Sequence, residues 1–196
     1  DISSATVEDN QITLAFDGDA EPVSYLITVK DNSATGKAKA DGTTYTYSMQ
    51  DGSVVSTLYT STRKLTSGAS VTSTDKLLAV VGNNGIYYHG SQHGIVITNG
   101  DAIQVKVAGD AEISFGLCAY SSSSAAIVAS IDTGSVYVDG DESATEVSFQ
   151  GESDGATATF CYEGDATELT FTVSATGSCY LHEVAVTNEA PETEVD

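Results

Sequence analysis

Residues 76–118 read KLLAVVGNNGIYYHGSQHGIVITNGDAIQVKVAGDAEISFGLC. Four short apolar or alternating runs are separated there by turns rich in Gly, Asn and Asp. A run of four to eight residues that alternates apolar and polar fits a half-buried strand, and Gly, Asn and Asp are the residues that turn a chain tightly. The rest of the chain has a milder form of the same pattern. Alternating runs occupy 12–16 (ITLAF), 23–30 (VSYLITVK), 43–48 (TTYTYS) and 53–59 (SVVSTLY). Further runs follow at 126–131, 136–138, 146–149, 156–162, 168–174 and 179–187. Between 60 and 75 the chain is polar, fitting either a long loop or short edge strands.

No stretch offers an amphipathic helix of ten or more residues. About fourteen strand-like runs, with turn residues every 8–12 positions, point to an all-β antiparallel β-sandwich, jelly-roll-like, with little or no helix. Val, Thr and Ser dominate the runs, as strands favour. Asn99-Gly100 tolerates positive φ at both positions and predicts a hairpin between the runs that flank it. Three divisions follow. Residues 1–41 form an N-terminal extension, with a polar lead-in over 1–10 and one or two strands that pack on or extend the sandwich. Residues 42–188 form the sandwich itself. Residues 189–196 form an acidic Pro/Glu/Thr linker that has nothing to bury.

Charge narrows the partners. Twenty-eight acidic residues face seven basic ones, for a formal charge of −21. Nucleic acid requires clustered Lys and Arg, so it is excluded as a general partner. An anionic membrane surface is disfavoured on the same ground. No run approaches the ~20 apolar residues of a membrane span. The opening DISSATVEDN reads like the start of a mature or trimmed chain. Cys118, Cys161 and Cys179 each lie in an apolar run and read as buried thiols. A Cys161–Cys179 bridge is the alternative for an exported chain.

The histidines sit in HGSQHG. His89 and His93 are four apart, but Gly90 and Gly94 make a tight loop between two strands the better reading. As a metal site the pair lacks a nearby third ligand. As loop side chains, His89, Gln92 and His93 can hydrogen-bond a ligand. Tyr87, Tyr88 and Tyr120 are candidate sugar-facing aromatics, since a ring face stacks on the C–H face of a pyranose and the phenol can hydrogen-bond. Arg63, Lys64, Lys76 and Lys106 are the attractive ground for an anionic ligand such as a polyuronate. Catalysis has no comparable pattern. No histidine lies in a context that would orient a catalytic base and no carboxylate pair is placed for glycoside hydrolysis, so the chain reads as a non-enzyme. No cofactor is called for. Calcium is the one metal the composition suits, held by the oxygen-rich turns at Asp17, Asp19, Asp139 and Asp141. These turns lack EF-hand spacing.

Three segments carry a resemblance: TTYTYSMQDGSVVSTLY, then GSQHGIVITNGDAIQVKVAGDAEISFGLCAYSSSS, then DGATATFCYEGDATELTFTVSATGSCYLHEVAVTN. Over residues 42–188 the chain resembles the non-catalytic β-sandwich modules of secreted pectate lyases and pectin methylesterases, the pectin-binding carbohydrate-binding modules. The resemblance implies a secreted, extracellular module, free or attached to the cell surface. Such a module binds plant cell-wall polysaccharide, with homogalacturonan first, and is joined to catalytic modules of the same polypeptide. Modules of that type rely on lysines, which are scarce here; Lys64, Lys76 and Lys106 are the positions that correspond. The alternative is a structural or adhesive extracellular module, a subunit of a surface filament, array or S-layer. Such a module would self-assemble by strand addition through its N-terminal strands.

Overall fold

The computed structural model describes residues 2–8, 11–16, 37–50, 70–82, 86–90, 93–119, 124–150 and 156–190. The chain forms two compact units, Asp1–Asn32 and Ser33–Asp196. In the first, β1 (Ile2–Glu8) and β2 (Gln11–Phe16) pair antiparallel, from Glu8 opposite Gln11 to Ile2 opposite Phe16. The polar lead-in expected over 1–10 is therefore largely a strand. Its backbone groups are satisfied by β2, and pairing overrides a composition that looks like loop. The expected strand at 23–30 lies outside the described residues, as do the run at 53–59 and most of the linker.

The second unit holds thirteen described strands. In chain order they are β3 (Thr44–Ser48), β4 (Ser70–Thr72), β5 (Leu78–Val81), β6 (Tyr87–Gly90), β7 (Gly94–Ile97), β8 (Ala102–Val107) and β9 (Ala111–Ala119). Then come β10 (Ser124–Ser130), β11 (Ser135–Val138), β12 (Glu146–Gln150), β13 (Ala156–Glu163), β14 (Thr167–Ala175) and β15 (Cys179–Asn188). They build two antiparallel sheets. The first runs β12-β10-β14-β8-β5-β4, and the second runs β11-β13-β9-β15-β7-β6, with β3 also paired to β15. The fold is thus an all-β sandwich, as the alternation indicates. Among its described residues, the polar run after 60 contributes a short edge strand, β4, beside β5.

Period-two patterning explains the core. In β8 the buried residues are Ile103, Val105 and Val107; in β14 they are Leu169, Phe171 and Val173. Each alternates with a more exposed polar or small residue, so each strand offers one apolar face. Phe115 and Phe160 from the second sheet meet Phe171 from the first. Ring centroids lie 4.8 Å apart for Phe115–Phe171 and 5.0 Å for Phe160–Phe171. These tilted and edge-on contacts tie the two layers together.

Asn99-Gly100 does not make a hairpin. Strand β7 belongs to the second sheet and β8 to the first, so the turn carries the chain between layers. Hydrogen bonds to β14 take the place of cross-turn pairing. Gly100 N donates to Val173 O at 2.8 Å, Val173 N donates to Asp101 O at 2.8 Å, and Ala175 N donates to Asn99 Oδ1 at 3.1 Å. Asp101 is fully buried and its Oδ2 accepts from Thr98 N at 2.8 Å, closing the turn. The dipeptide supplies the turn, but β8 is captured by β14 and β5 instead of β7.

The cysteines are all free. A Cys161–Cys179 bridge is ruled out by placement. Cys179 lies in the core on β15, while Cys161 is half-buried between the inward-facing Phe160 and Tyr162 of β13, and β9 separates the two strands. Two strand spacings put the backbones about 9–10 Å apart, beyond the reach of a disulfide.

Candidate functional site

Across the second sheet, one register line links four strands. Tyr87 on β6 faces Val96 on β7, Val96 faces Tyr180 on β15, and Tyr180 faces Cys118 on β9. Directly opposed residues share a face of a sheet. The neighbours Ile95, Leu181 and Leu117 are buried in the main core, so this line points outward. Even so, Val96, Cys118 and Tyr180 are buried and form a separate apolar cluster on the outer surface.

Histidines cover that cluster. His93 stacks on Tyr180 with ring centroids 4.6 Å apart and planes 21° apart. His89 lies 5.2 Å from the Tyr180 ring, 5.1 Å from the His93 ring and 6.0 Å from the Tyr87 ring. On the far side of Tyr180, His182 Nε2 lies 3.5 Å from Cys118 Sγ. All three histidines of the chain therefore gather on one face. Tyr87 borders the patch and is the exposed large apolar side chain among the described residues, at 37 %.

Local backbone chemistry places these rings. Gly90 (φ +117°) pairs with Gly94 (φ +69°), and His93 N donates to Gly90 O at 3.3 Å, so the two ends of the connection are held close, as its glycines predict. A side chain at Gly94 would collide with the Leu181 carbonyl oxygen. Two irregularities coincide with histidines. The register of β6 shifts between Tyr88 and Gly90, leaving His89 as an extra residue, and that of β15 against β9 shifts between Leu181 and Glu183, leaving His182 extra. A β-bulge of this kind adds a residue to a strand without breaking the sheet.

The other expected site residues are dispersed. Tyr88 belongs to the opposite side of β6 from Tyr87. It is half-buried against the core, and its hydroxyl donates to Gln50 O at 3.0 Å, which corrects its expected role as a sugar-facing ring. Lys76 is exposed in the turn before β5, at φ 62°. Lys106 lies on β8 in the first sheet, between the buried Val105 and Val107 and directly opposite Glu168. With Lys37, Val107, Thr167 and Glu168 it lines an open cleft of about 420 Å³. Lys106 therefore sits on the first sheet and Lys76 in the turn that enters it, whereas Tyr87 and His89 belong to the second sheet.

Asp139 and Asp141 are exposed in the turn after β11. Asp141 Oδ1 accepts from Ser143 Oγ at 2.7 Å and Ser143 N at 3.1 Å, and these bonds hold its carboxyl below the usual range. That carboxylate caps its own turn. Among the described residues no three His, Cys, Asp or Glu side chains group to hold a metal ion. Arg63, Lys64, Gln92, Tyr120, Asp17 and Asp19 lie outside the described residues. Sequence reasoning passed over Tyr180 and His182. Their two-residue spacing in an alternating strand places both on one face, and that was the available signal.

No family model matches the chain, and no curated protein matches it. Among solved structures, a family two carbohydrate esterase from Cellvibrio japonicus is similar over 76 % of this chain and 36 % of its own length. The TM-score is 0.35 and the identity 12 %. The chain thus spans about a third of that structure. Among the described residues no helix is long and apolar enough to cross a membrane.

Proposed function

We propose that the chain is a non-catalytic extracellular module that binds plant cell-wall polysaccharide on the outer face of its second sheet. The observation that carries this reading is the exposed Tyr87 beside the packed rings of His89, His93 and Tyr180. Such a surface offers flat ring faces for the C–H face of a pyranose and imidazole nitrogens for its hydroxyls. It is an open platform on a rigid sheet, suited to a chain that passes over it. Cell-wall pectin is the ligand class to test first. Electrostatics orders its forms. At −21 the protein repels a polyanion, and Lys76 and Lys106 are not on the platform. A neutral or methyl-esterified pectin is therefore favoured there over polygalacturonate. Any polygalacturonate binding belongs to the Lys37–Lys106 cleft.

Affinity gels cast with pectins of graded esterification test this. Tyr87→Ala should lose retardation on esterified pectin by about tenfold or more in affinity, roughly one stacked ring. Lys106→Ala should leave that binding unchanged. Native mobility on every plant polysaccharide would sink the proposal. The structural alternative has one observation in its favour. The described residues of the N-terminal unit form the antiparallel pair β1–β2, and a strand from a neighbouring copy can add to a sheet edge of this kind. Size-exclusion chromatography and electron microscopy of the chain would then show assemblies in place of monomers.

A further inference from the structure

The two histidines of HGSQHG have a geometry that polysaccharide binding does not require. We propose that His89 and His93 chelate a borderline divalent transition metal, of the copper(II), nickel(II) or zinc(II) class, on the outer face of the second sheet. The argument is metric. An imidazole nitrogen binds such an ion at about 2.0–2.1 Å, and the ring centre lies about 1.2 Å further on, so each centroid stands about 3.2 Å from the metal. Two rings meeting one ion at 90° to 109° then have centroids about 4.5–5.2 Å apart. The observed separation is 5.1 Å, with the planes 62° apart. The separation falls within that range, so the two rings are close enough to share an ion once a nitrogen of each turns toward it.

The pair is also held in place. His93 is braced by Tyr180 at 4.6 Å, and the Gly90–Gly94 pairing fixes both ends of the connection. Bracing lowers the ordering cost of chelation. His89 is exposed and His93 half-buried, so water can complete the coordination sphere. No third His, Cys, Asp or Glu among the described residues joins the pair. The acidic surface concentrates cations near the protein, and two nitrogen ligands select a borderline metal over calcium, which prefers oxygen.

Copper(II) added alone to the full chain is the probe, read by electron paramagnetic resonance. Carboxylates will hold some copper in every variant, but they give no nitrogen superhyperfine lines, and the echo modulation from a remote ring nitrogen marks imidazole ligation. The wild type should show the pattern of two equivalent nitrogens. His89→Ala and His93→Ala should each reduce it to one nitrogen and weaken copper binding by at least about tenfold. The double variant should show oxygen ligation only. His182→Ala, which leaves the pair intact, should keep the two-nitrogen pattern. Circular dichroism and thermal melts establish that each variant is folded. Oxygen-only ligation in the wild type, or a two-nitrogen pattern that survives in the double variant, overturns the proposal. No polysaccharide enters the experiment, so its failure is separate from failure of the binding-module reading.

Discussion

His89 and His182, ninety-three positions apart in the chain, each occupy the extra position of a β-bulge in the same sheet. Strand β6 gains His89 between Tyr88 and Gly90, and β15 gains His182 between Leu181 and Glu183. Both histidines lie on the outer face, where two-residue spacing from Tyr87 and from Tyr180 already puts them, and each bulge adds one residue to its strand at that point. The two irregularities therefore lie on one surface. A regular strand would alternate strictly, and position 182 would then throw every later residue of β15 onto the wrong face.

That bulge makes a sharp prediction about deletions. Removing His182 leaves Leu181 and Val184 still facing the core, with Glu183 alone outside between them. The cost should be about 1–2 kcal/mol, largely the bond from Met49 N to His182 O. Removing Val184 instead turns Val186 outward and Thr187 inward, which should abolish folding. Urea unfolding of both deletions checks this. Equal losses would mean that the bulge is not what sets the register.

Two glycines with similar backbone angles should behave differently. Gly94 (φ +69°) and Gly140 (φ +80°) both sit in left-handed conformations, which cost a non-glycine residue about 1–2 kcal/mol. Around Gly140 a methyl group meets nothing within 4 Å; at Gly94 it strikes the Leu181 carbonyl and crowds Met49. Gly140→Ala should lose only the conformational term. Gly94→Ala should lose several kcal/mol and loosen the β6–β7 hairpin, seen as faster amide exchange there. Matching melting temperatures would contradict this.

Adjacent tyrosines should separate binding from stability. Tyr87 is exposed beside the histidines, whereas Tyr88 packs on the core and bonds Gln50 O. Tyr88→Ala should cost about 3 kcal/mol or more, as for other large-to-small core changes, without a direct effect on pectin affinity in the folded fraction. Tyr87→Ala should do the reverse. Melting curves and affinity gels on both variants decide it.

Much of the fold was legible because it rests on local rules. Alternation in AIQVKV and ELTFTV marks the inward faces of β8 and β14, and these strands appear where the pattern puts them. What alternation cannot carry is partner choice. Asn99-Gly100 specifies a turn, but whether β8 then pairs with β7 or with β14 depends on contacts sixty to seventy residues away. The site divides the same way. HGSQHG reads as a tight turn by its glycines alone. The convergence of His182, Cys118 and Tyr180 on it depends on strand order. One clue was present: Leu181 and Val184, three apart within a period-two run, mark the bulge. Lys76 and Lys106 were grouped with Tyr87 by chemistry, and only the assignment of strands to sheets separates them.

Alkaline pH should destabilise the sandwich through Cys179 and Tyr47. Burial pushes the Cys179 thiol from 9.0 up to about 12. Burial, with the hydrogen bond from Tyr47 Oη to Asp75 Oδ2 at 2.8 Å, raises the Tyr47 phenol above its ordinary value of 10.0. Both groups are neutral in the folded state and ionise more readily once unfolded. Their contribution is thus fully present below pH 9 and is lost as pH rises toward 12. Between pH 9 and 12 the Cys179 effect alone should lower stability by up to about 1.4 kcal/mol per pH unit, with Tyr47 adding to the slope above pH 10. Cys179→Ala should flatten the first part of this decline and leave the Tyr47 part. Urea midpoints of wild type and variant at pH 8, 9.5 and 10.5 measure it. Parallel pH profiles for the two proteins would show that the Cys179 thiol is not what ties folding to protonation.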